Sequence, residues 1–495
     1  MTSPPTTLLR NALVLPRAGS DGVPGDVLIE GSRIASVERR IEPAASMDVV
    51  DLSNHALVPG FFNAHYHSHD VLAKGMFEAM PLEAWSVVAG GVGTDASVEE
   101  VRLRTLLGAT ECVRNGFTTV QDFVNLPSLE DAYVDAMLEA YAEAGVRVVF
   151  AISVRDRSQL DTIPWSRELL PEALHAALDG ASPSADVQLE FVERQLRRHP
   201  AHDRLTWALA ASAPHRCSPT LLSGLADLAE RWSLPVYTHL YETRMQRAFA
   251  RRSLPDHRGS LVEYLADCGL LGQRLAMSHA IWTVPREIER IADAGASVVL
   301  NLLSNFRLGS GLAPIGAYRR AAVNIALGGD NLSCSDVENP FQAMKLFCLA
   351  GGLDGTGAPP TAADALHAAT VGGATTAGLS HELGAIEPGM LADLVALDLD
   401  DPAYRPLNDL GRQLVFAETA RGVRHVWVAG RRVVQDGRCS GVDERQLVER
   451  VREHAPRVRA VAEPLWERMT SMLPAIHRIM ARAEAVDEEA NRYLA

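Results

Sequence analysis

Eight short apolar runs alternate with helical stretches through the middle of this chain, and that alternation most narrows what it can fold into. The runs are ALVPGFFNAH, FTTVQDF, VRVVFAIS, LTWALAAS, LPVYTH, RLAMSHA, SVVLNLL and VNIALGG. Stretches such as VEEVRLRTLLGATECVRNG and SLEDAYVDAMLEAYAEAG fall between them and read as helices. Parallel strands need helical crossovers, and strands that are apolar throughout need cover on both faces. The pattern therefore predicts an α/β protein with a (β/α)₈ barrel over residues 59–380. Such a barrel takes about 250 residues, more with insertions, so a chain of 495 residues has room for a second, smaller unit.

That unit is expected from both ends of the chain. LLRNALVL, DVLIEGSRIASVERR and MDVVDLSNHALV are Val-, Ile- and Leu-rich runs broken by turn residues. GAIEPGMLADLVALDLD and RHVWVAGRRVVQDGR have the same texture. Residues 1–58 and 381–440 are too short to stand alone, and together they predict one small discontinuous β-sandwich. Residues 441–495 are helical, charged and rich in Ala, Arg and Glu, which reads as a packing or dimer-contact appendage.

A formal net charge of −15 and a pI near 5.5 argue against nucleic acid or anionic membranes as partners. No apolar stretch reaches the roughly 18 residues of a membrane span, and the opening residues lack a signal-peptide pattern. The six cysteines are scattered with no C-x-x-C pair, so a disulfide framework or thiolate zinc site is not expected, and a cytoplasmic location is.

The chemistry lies at the strand ends. In FFNAHYHSHD, His65 and His67 are two apart at the end of an apolar strand, so both leave the same face. In a barrel that face can point to the axis at the C-terminal mouth, where active sites lie. LPVYTHLYET ends a strand at His239 with Glu242 three residues on; RLAMSHAIW ends one at His279; VNIALGGDN ends one at Asp330. Each alone is explained as a surface or core residue. Together they deliver imidazoles and carboxylates from the first, fifth, sixth and eighth strands to one mouth. Imidazole and carboxylate without thiolate suit Zn²⁺, Fe²⁺ or another borderline ion.

In these motifs the chain resembles the amidohydrolase superfamily, in its branch of cytosine, guanine, S-adenosylhomocysteine and s-triazine aminohydrolases. VPGFFNAHYH, NGFTTVQDF, HLYET, SHAIW, NLLSNFRLGSGLAP, GGDN and EPGMLADLVALD carry the likeness nearly end to end. The resemblance implies a distorted TIM barrel with His65, His67, His239 and Asp330 as metal ligands. It implies Glu242, His279 and Asp330 as the catalytic groups, with Glu242 carrying protons and His279 beside the substrate. Trp85, His215 and Asn305 are further candidates for touching substrate, and Met76 and Phe77 resemble part of a covering loop. Some members bridge two metals with a carbamylated lysine on strand four. The only lysines here are Lys74 and Lys345, which favours one divalent ion per subunit, Zn first and Fe(II) as alternative.

The expected function is a metal-dependent aminohydrolase: metal-activated hydroxide attacks an electron-poor carbon of a small N-heterocycle and ammonia leaves. The alternative is an amide, urea, carbamate or halide hydrolase using the same mononuclear site. A homodimer or homotetramer is implied by the resemblance alone.

Overall fold

The computed structural model describes residues 6–180 and 182–486. Eight parallel strands follow one another around a ring: Phe61–His67, Phe117–Val124, Arg147–Val154, Leu205–Ala211, Val236–Leu240, Leu275–His279, Ser297–Leu300 and Asn324–Leu327. Asn324–Leu327 pairs with the seventh strand; after two glycines, Asp330–Asn331 pairs with the first, placing Asp330 opposite Tyr66. The eighth strand thus closes the ring in two pieces, and the fold is a distorted (β/α)₈ barrel.

Burial explains why these runs are continuous in apolar residues. The first two strands are buried along their whole length, with helices outside and a filled interior within. Phe62, Ala64, Ala151, Ala208, Ala210, Tyr237, Ala276, Val299 and Ala326 form that interior. Strict alternation would turn His65 and His67 away from Ala64. The pairing register between the first and second strands shifts between Asn63 and Tyr66, an irregularity of the kind that re-aims side chains. Both histidines therefore face the axis, while Tyr66 joins the core beneath the helices.

The break in the eighth strand depends on glycine. A Cβ at Gly328 would lie 2.9 Å from the His65 carbonyl oxygen, and one at Gly329 would overlap the Glu338 carboxylate. Without Cβ atoms, the Gly329 N–H donates both to His65 O at 3.1 Å and to Asn63 Oδ1 at 3.0 Å. Asp330 is delivered to the mouth by this close approach.

Strands from the two chain ends form a second sheet. Its path runs Arg438–Cys439, Arg431–Gln435, Val423–Val428, Leu394–Asp398, His55–Pro59, Thr6–Val14, Val23–Glu30 and Arg33–Glu38, with Asp48–Asp51 also on Thr6–Val14. Leu394 lies opposite Pro59, so the two ends join where the chain enters the barrel. The layers expected of a sandwich belong to one continuous nine-stranded hydrogen-bonded sheet. Leu9, Val27, Ile29, Ile34, Leu394 and Trp427 share its core.

The C-terminal segment forms one helix, Glu444–Val486, with Pro456, Pro464 and Pro474 inside it. It lies across the barrel mouth against the helix Leu82–Val92. A Cβ at Gly91 would overlap Leu465, so the two helices meet at their closest where a side chain is absent. Trp466 packs on Phe77 with ring centroids 5.1 Å apart, and Arg482 pairs with Glu168 at 2.8 Å. The helix packs as a roof over the mouth, because its apolar side (Ala462, Met469, Met472, Ile476, Ile479) completes a core with Trp85, Val88 and Leu160. No helix among the described residues is long and apolar enough to cross a membrane.

Candidate active site

Four strand ends bring their side chains to one point. The ligand atoms of His65, His67 and His239 lie within 4.8 Å of one another, as do those of His65, His279 and Asp330. His65 Nε2 and His67 Nε2 each stand 3.5 Å from Asp330 Oδ1. His279 Nε2 stands 3.8 Å from Asp330 Oδ2 and 3.6 Å from Glu242 Oε2.

The backbone sets the tautomers. His67 Nδ1 lies 2.7 Å from Phe123 O, and His239 Nδ1 lies 2.6 Å from Ser212 O. A carbonyl only accepts, so each Nδ1 carries the proton and each Nε2 turns a lone pair inward. His279 Nδ1 donates in the same way to Asn305 Oδ1 at 2.8 Å. Two of the side chains rest on unusual backbone. His279 (φ 69°) and Asp330 (φ 72°) are left-handed non-glycine residues, a conformation that persists only when the surroundings enforce it.

Burial decides the charges. It pushes the His67 imidazole down to about 3, helped by the neighbouring His65. Burial likewise lowers His65, and holds His239 well below the ordinary histidine range. Burial opposes ionisation of Asp330, but the imidazoles around it, His65 first and then His279 and His67, outweigh burial and hold the carboxyl well below the ordinary carboxylate range. Glu242 goes the other way: burial, with Asp330 and Glu83 adding to it against His279, raises it to about 7.

Three inward lone pairs and one carboxylate thus converge in a buried pocket. Neither ring nitrogen of His65 has a hydrogen-bond partner among the described residues. Orphaned acceptors beside an anion are costly to bury, and a divalent cation satisfies all of them at once. The set fits a metal with nitrogen and oxygen ligands. Strand four, Leu205–Ala211, carries no lysine; Lys74 is ion-paired with Glu111 and Lys345 lies in the helix Pro340–Leu353.

The family model described as the amidohydrolase family matches residues 56–433. The chain belongs to the amidohydrolase family. The 5'-deoxyadenosine deaminase of Methanothermobacter thermautotrophicus is 29% identical over 439 residues, covering 86% of this chain and 92% of that one. The 5-methylthioadenosine/S-adenosylhomocysteine deaminase of Nitratidesulfovibrio vulgaris is 30% identical over 467 residues, covering 92% and 97%. Among solved structures, an adenosine deaminase from Xanthomonas campestris with bound zinc superposes with a TM-score of 0.80 at 26% identity, covering 92% of this chain and 99% of that one.

A cavity of about 540 Å³ opens above the amidohydrolase centre, within the usual size of small-molecule sites. Of the residues expected to touch substrate, Trp85 lines it from the roof, its Nε1 donating to Ser333 Oγ at 3.1 Å. His215 lines it too, buried and with Nδ1 unpartnered. Asn305 does not: it is fully buried behind His279 and holds that ring, so its contact is with a neighbouring side chain rather than the cavity. Met76 and Phe77 pack in the roof core and do not line the cavity.

Several lining residues were not anticipated: Arg155, Arg157, Arg216, Gln246, Asn331 and, from the C-terminal helix, Arg468. The pair in SVRDR at the end of the third strand was the one available signal, since arginines there face the same mouth as the histidines.

Proposed function

We propose that this amidohydrolase is a zinc-dependent deaminase of a nitrogen heterocycle, with 6-aminopurine nucleosides, the substrates that its relatives' names carry, as first candidates. The observation that carries the reading is the placement of Glu242, its carboxyl raised to about 7 so that it can both give and take a proton near neutral pH, beside His279 and above the convergent donor set. His65, His67, His239 and Asp330 would hold the ion. Bound there, a divalent ion lowers the pKa of water from 15.7 toward about 7 and so supplies the nucleophile.

The protein's own groups handle the protons. Asp330, held below the ordinary carboxylate range, and His279, its Nδ1 on Asn305 and its Nε2 turned inward, are placed to accept the proton of the attacking water. Glu242 gives a proton to the ring nitrogen next to the attacked carbon and carries another to the departing amine. Asn305 and the Phe123 and Ser212 carbonyls keep the imidazoles in the orientation this needs.

The test is an ammonia-release screen of the zinc-loaded enzyme over adenine nucleosides, other purines, pyrimidines, triazines and aryl ureas. Ammonia released from an aminated ring, with the ring carbonyl as co-product, is the expected result. Release of chloride, or of an aniline from a urea, without any ring deamination would overturn it.

A further inference from the structure

The eighth barrel strand is broken at Gly328 and Gly329, and a carboxyl group is buried against the break. Glu338 lies between the short helix Leu332–Ser335 and the helix Pro340–Leu353, fully enclosed. Its backbone is tied on both sides to the last turn of the helix Val98–Arg114 and the residue after it. The N–H donates to Glu111 Oε1 at 3.1 Å, and the carbonyl accepts from Asn115 Nδ2 at 2.6 Å. The side chain is thereby turned inward, so close to Gly329 that a Cβ there would overlap it.

That placement is unfavourable in itself. Glu338 Oε1 has no hydrogen-bond partner among the described residues. Burial, with the Glu111 charge adding to it, pushes the carboxyl well above the ordinary carboxylate range. An apolar side chain of similar size would avoid both penalties, so stability alone gives no reason for an acid here. The reason lies in the other oxygen. Glu338 Oε2 accepts from Asn63 Nδ2 at 2.5 Å.

Asn63 has one orientation that works. The Gly329 N–H can only donate, so the atom that meets it at 3.0 Å is Asn63 Oδ1, and Nδ2 is left facing Glu338. With no acceptor at position 338, nothing would hold the amide that way round. Gly329 is the residue before Asp330, whose left-handed backbone (φ 72°) has to be enforced by its surroundings. The same N–H also donates to His65 O at 3.1 Å, so one amide hydrogen ties the strand carrying His65 to the piece carrying Asp330. Asp330 Oδ1 stands 3.5 Å from both His65 Nε2 and His67 Nε2, a spacing that a shift of this backbone would change.

We infer that Glu338 is a positioning residue for the metal centre: its Oε2 fixes the Asn63 amide, which holds the Gly329 N–H and with it Asp330. The inference deepens the deaminase reading and rests on its metal site, not on which ring is deaminated. Glu338 does not line the cavity; it acts through Asn63.

Three variants test this as purified protein titrated with zinc. Glu338→Leu keeps the bulk and removes the acceptor, Glu338→Gln keeps an acceptor, and Asn63→Ala cuts the tie from the other side. Zinc affinity, read by competition with a chromophoric chelator, should fall about 10- to 100-fold in Glu338→Leu and in Asn63→Ala, the usual effect of losing a partner behind a metal ligand. Glu338→Gln should stay close to wild type. Adding Glu338→Leu to Asn63→Ala should weaken zinc little further, because the two residues act in series. At saturating zinc, kcat should fall in Glu338→Leu with KM nearly unchanged. Hydrogen exchange of the metal-free protein needs no turnover; it should speed up at residues 328–331 in Glu338→Leu and not in Glu338→Gln. A lower melting temperature with wild-type zinc affinity in Glu338→Leu would leave Glu338 a structural role only and overturn the inference. So would a Glu338→Gln variant as defective as Glu338→Leu, since the acceptor would then not be what matters. If Glu338→Leu does not fold, wild-type zinc affinity in Asn63→Ala overturns it equally. If no ring is deaminated, the deaminase reading falls while zinc affinity and exchange still decide the role of Glu338.

Discussion

The floor and the roof of the cavity are built on different principles. On the floor, His65, His67, His239 and Asp330 come from strand ends of a closed ring, and His67 and His239 are each fixed by a hydrogen bond to a neighbouring strand's carbonyl or the residue just past it. On the roof, Phe77, Trp85 and Trp466 meet through side-chain packing, with side-chain contacts such as Trp85 to Ser333 and Arg482 to Glu168 around them. Backbone geometry thus holds the chemistry, and side-chain packing holds what covers it. A barrel can keep the first while the second varies, so the reaction follows the family and the substrate follows the roof.

Breaking the floor should cost the most. His239→Ala removes one of the inward lone pairs, and both metal content and ammonia release should fall to background. Metal analysis and a coupled ammonia assay on the same preparation check this; a fully metallated, active variant would mean that His239 is not a ligand. One step back, Asn305→Ala leaves the ligands in place but frees His279. Turnover should fall about 10- to 100-fold, the usual effect of removing an orienting partner, with metal retained and KM nearly unchanged. A change in KM alone would place Asn305 in contact with substrate after all. The roof should give the smallest catalytic effect. Trp466→Ala should raise KM a few-fold and destabilise the protein by about 2 kcal/mol, below the ~3–5 kcal/mol of a fully buried aromatic because Trp466 is half-buried. Metal content should not move. If it did, roof and floor would be one unit and the contrast would collapse.

The same contrast explains what could be read before the fold was in hand. The barrel strands were legible because both faces of each are buried, which leaves continuous apolar runs in the sequence. The converging side chains were legible because strand ends share one mouth. The register shift between Asn63 and Tyr66, which aims His65 and His67, left no mark, since every residue around it is buried whatever its direction. Asn305 could be placed near the site but not behind His279, because the distinction depends on the turn of the short helix Leu302–Arg307. The roof helix was least legible. Its apolar side reads as any amphipathic face, and nothing local says that the partner is a helix near the other end of the chain. Arg468 was missed for that reason.

The central claim is that Glu242 moves protons above a metal that it does not hold. Glu242→Gln keeps the size and polarity of the side chain and removes its proton chemistry. Metal content and ammonia release of the purified variant test the claim most directly. The expected result is one divalent ion per chain, as in the unaltered enzyme, and turnover lower by about 10²- to 10⁴-fold. Near-normal turnover with the metal in place would contradict it.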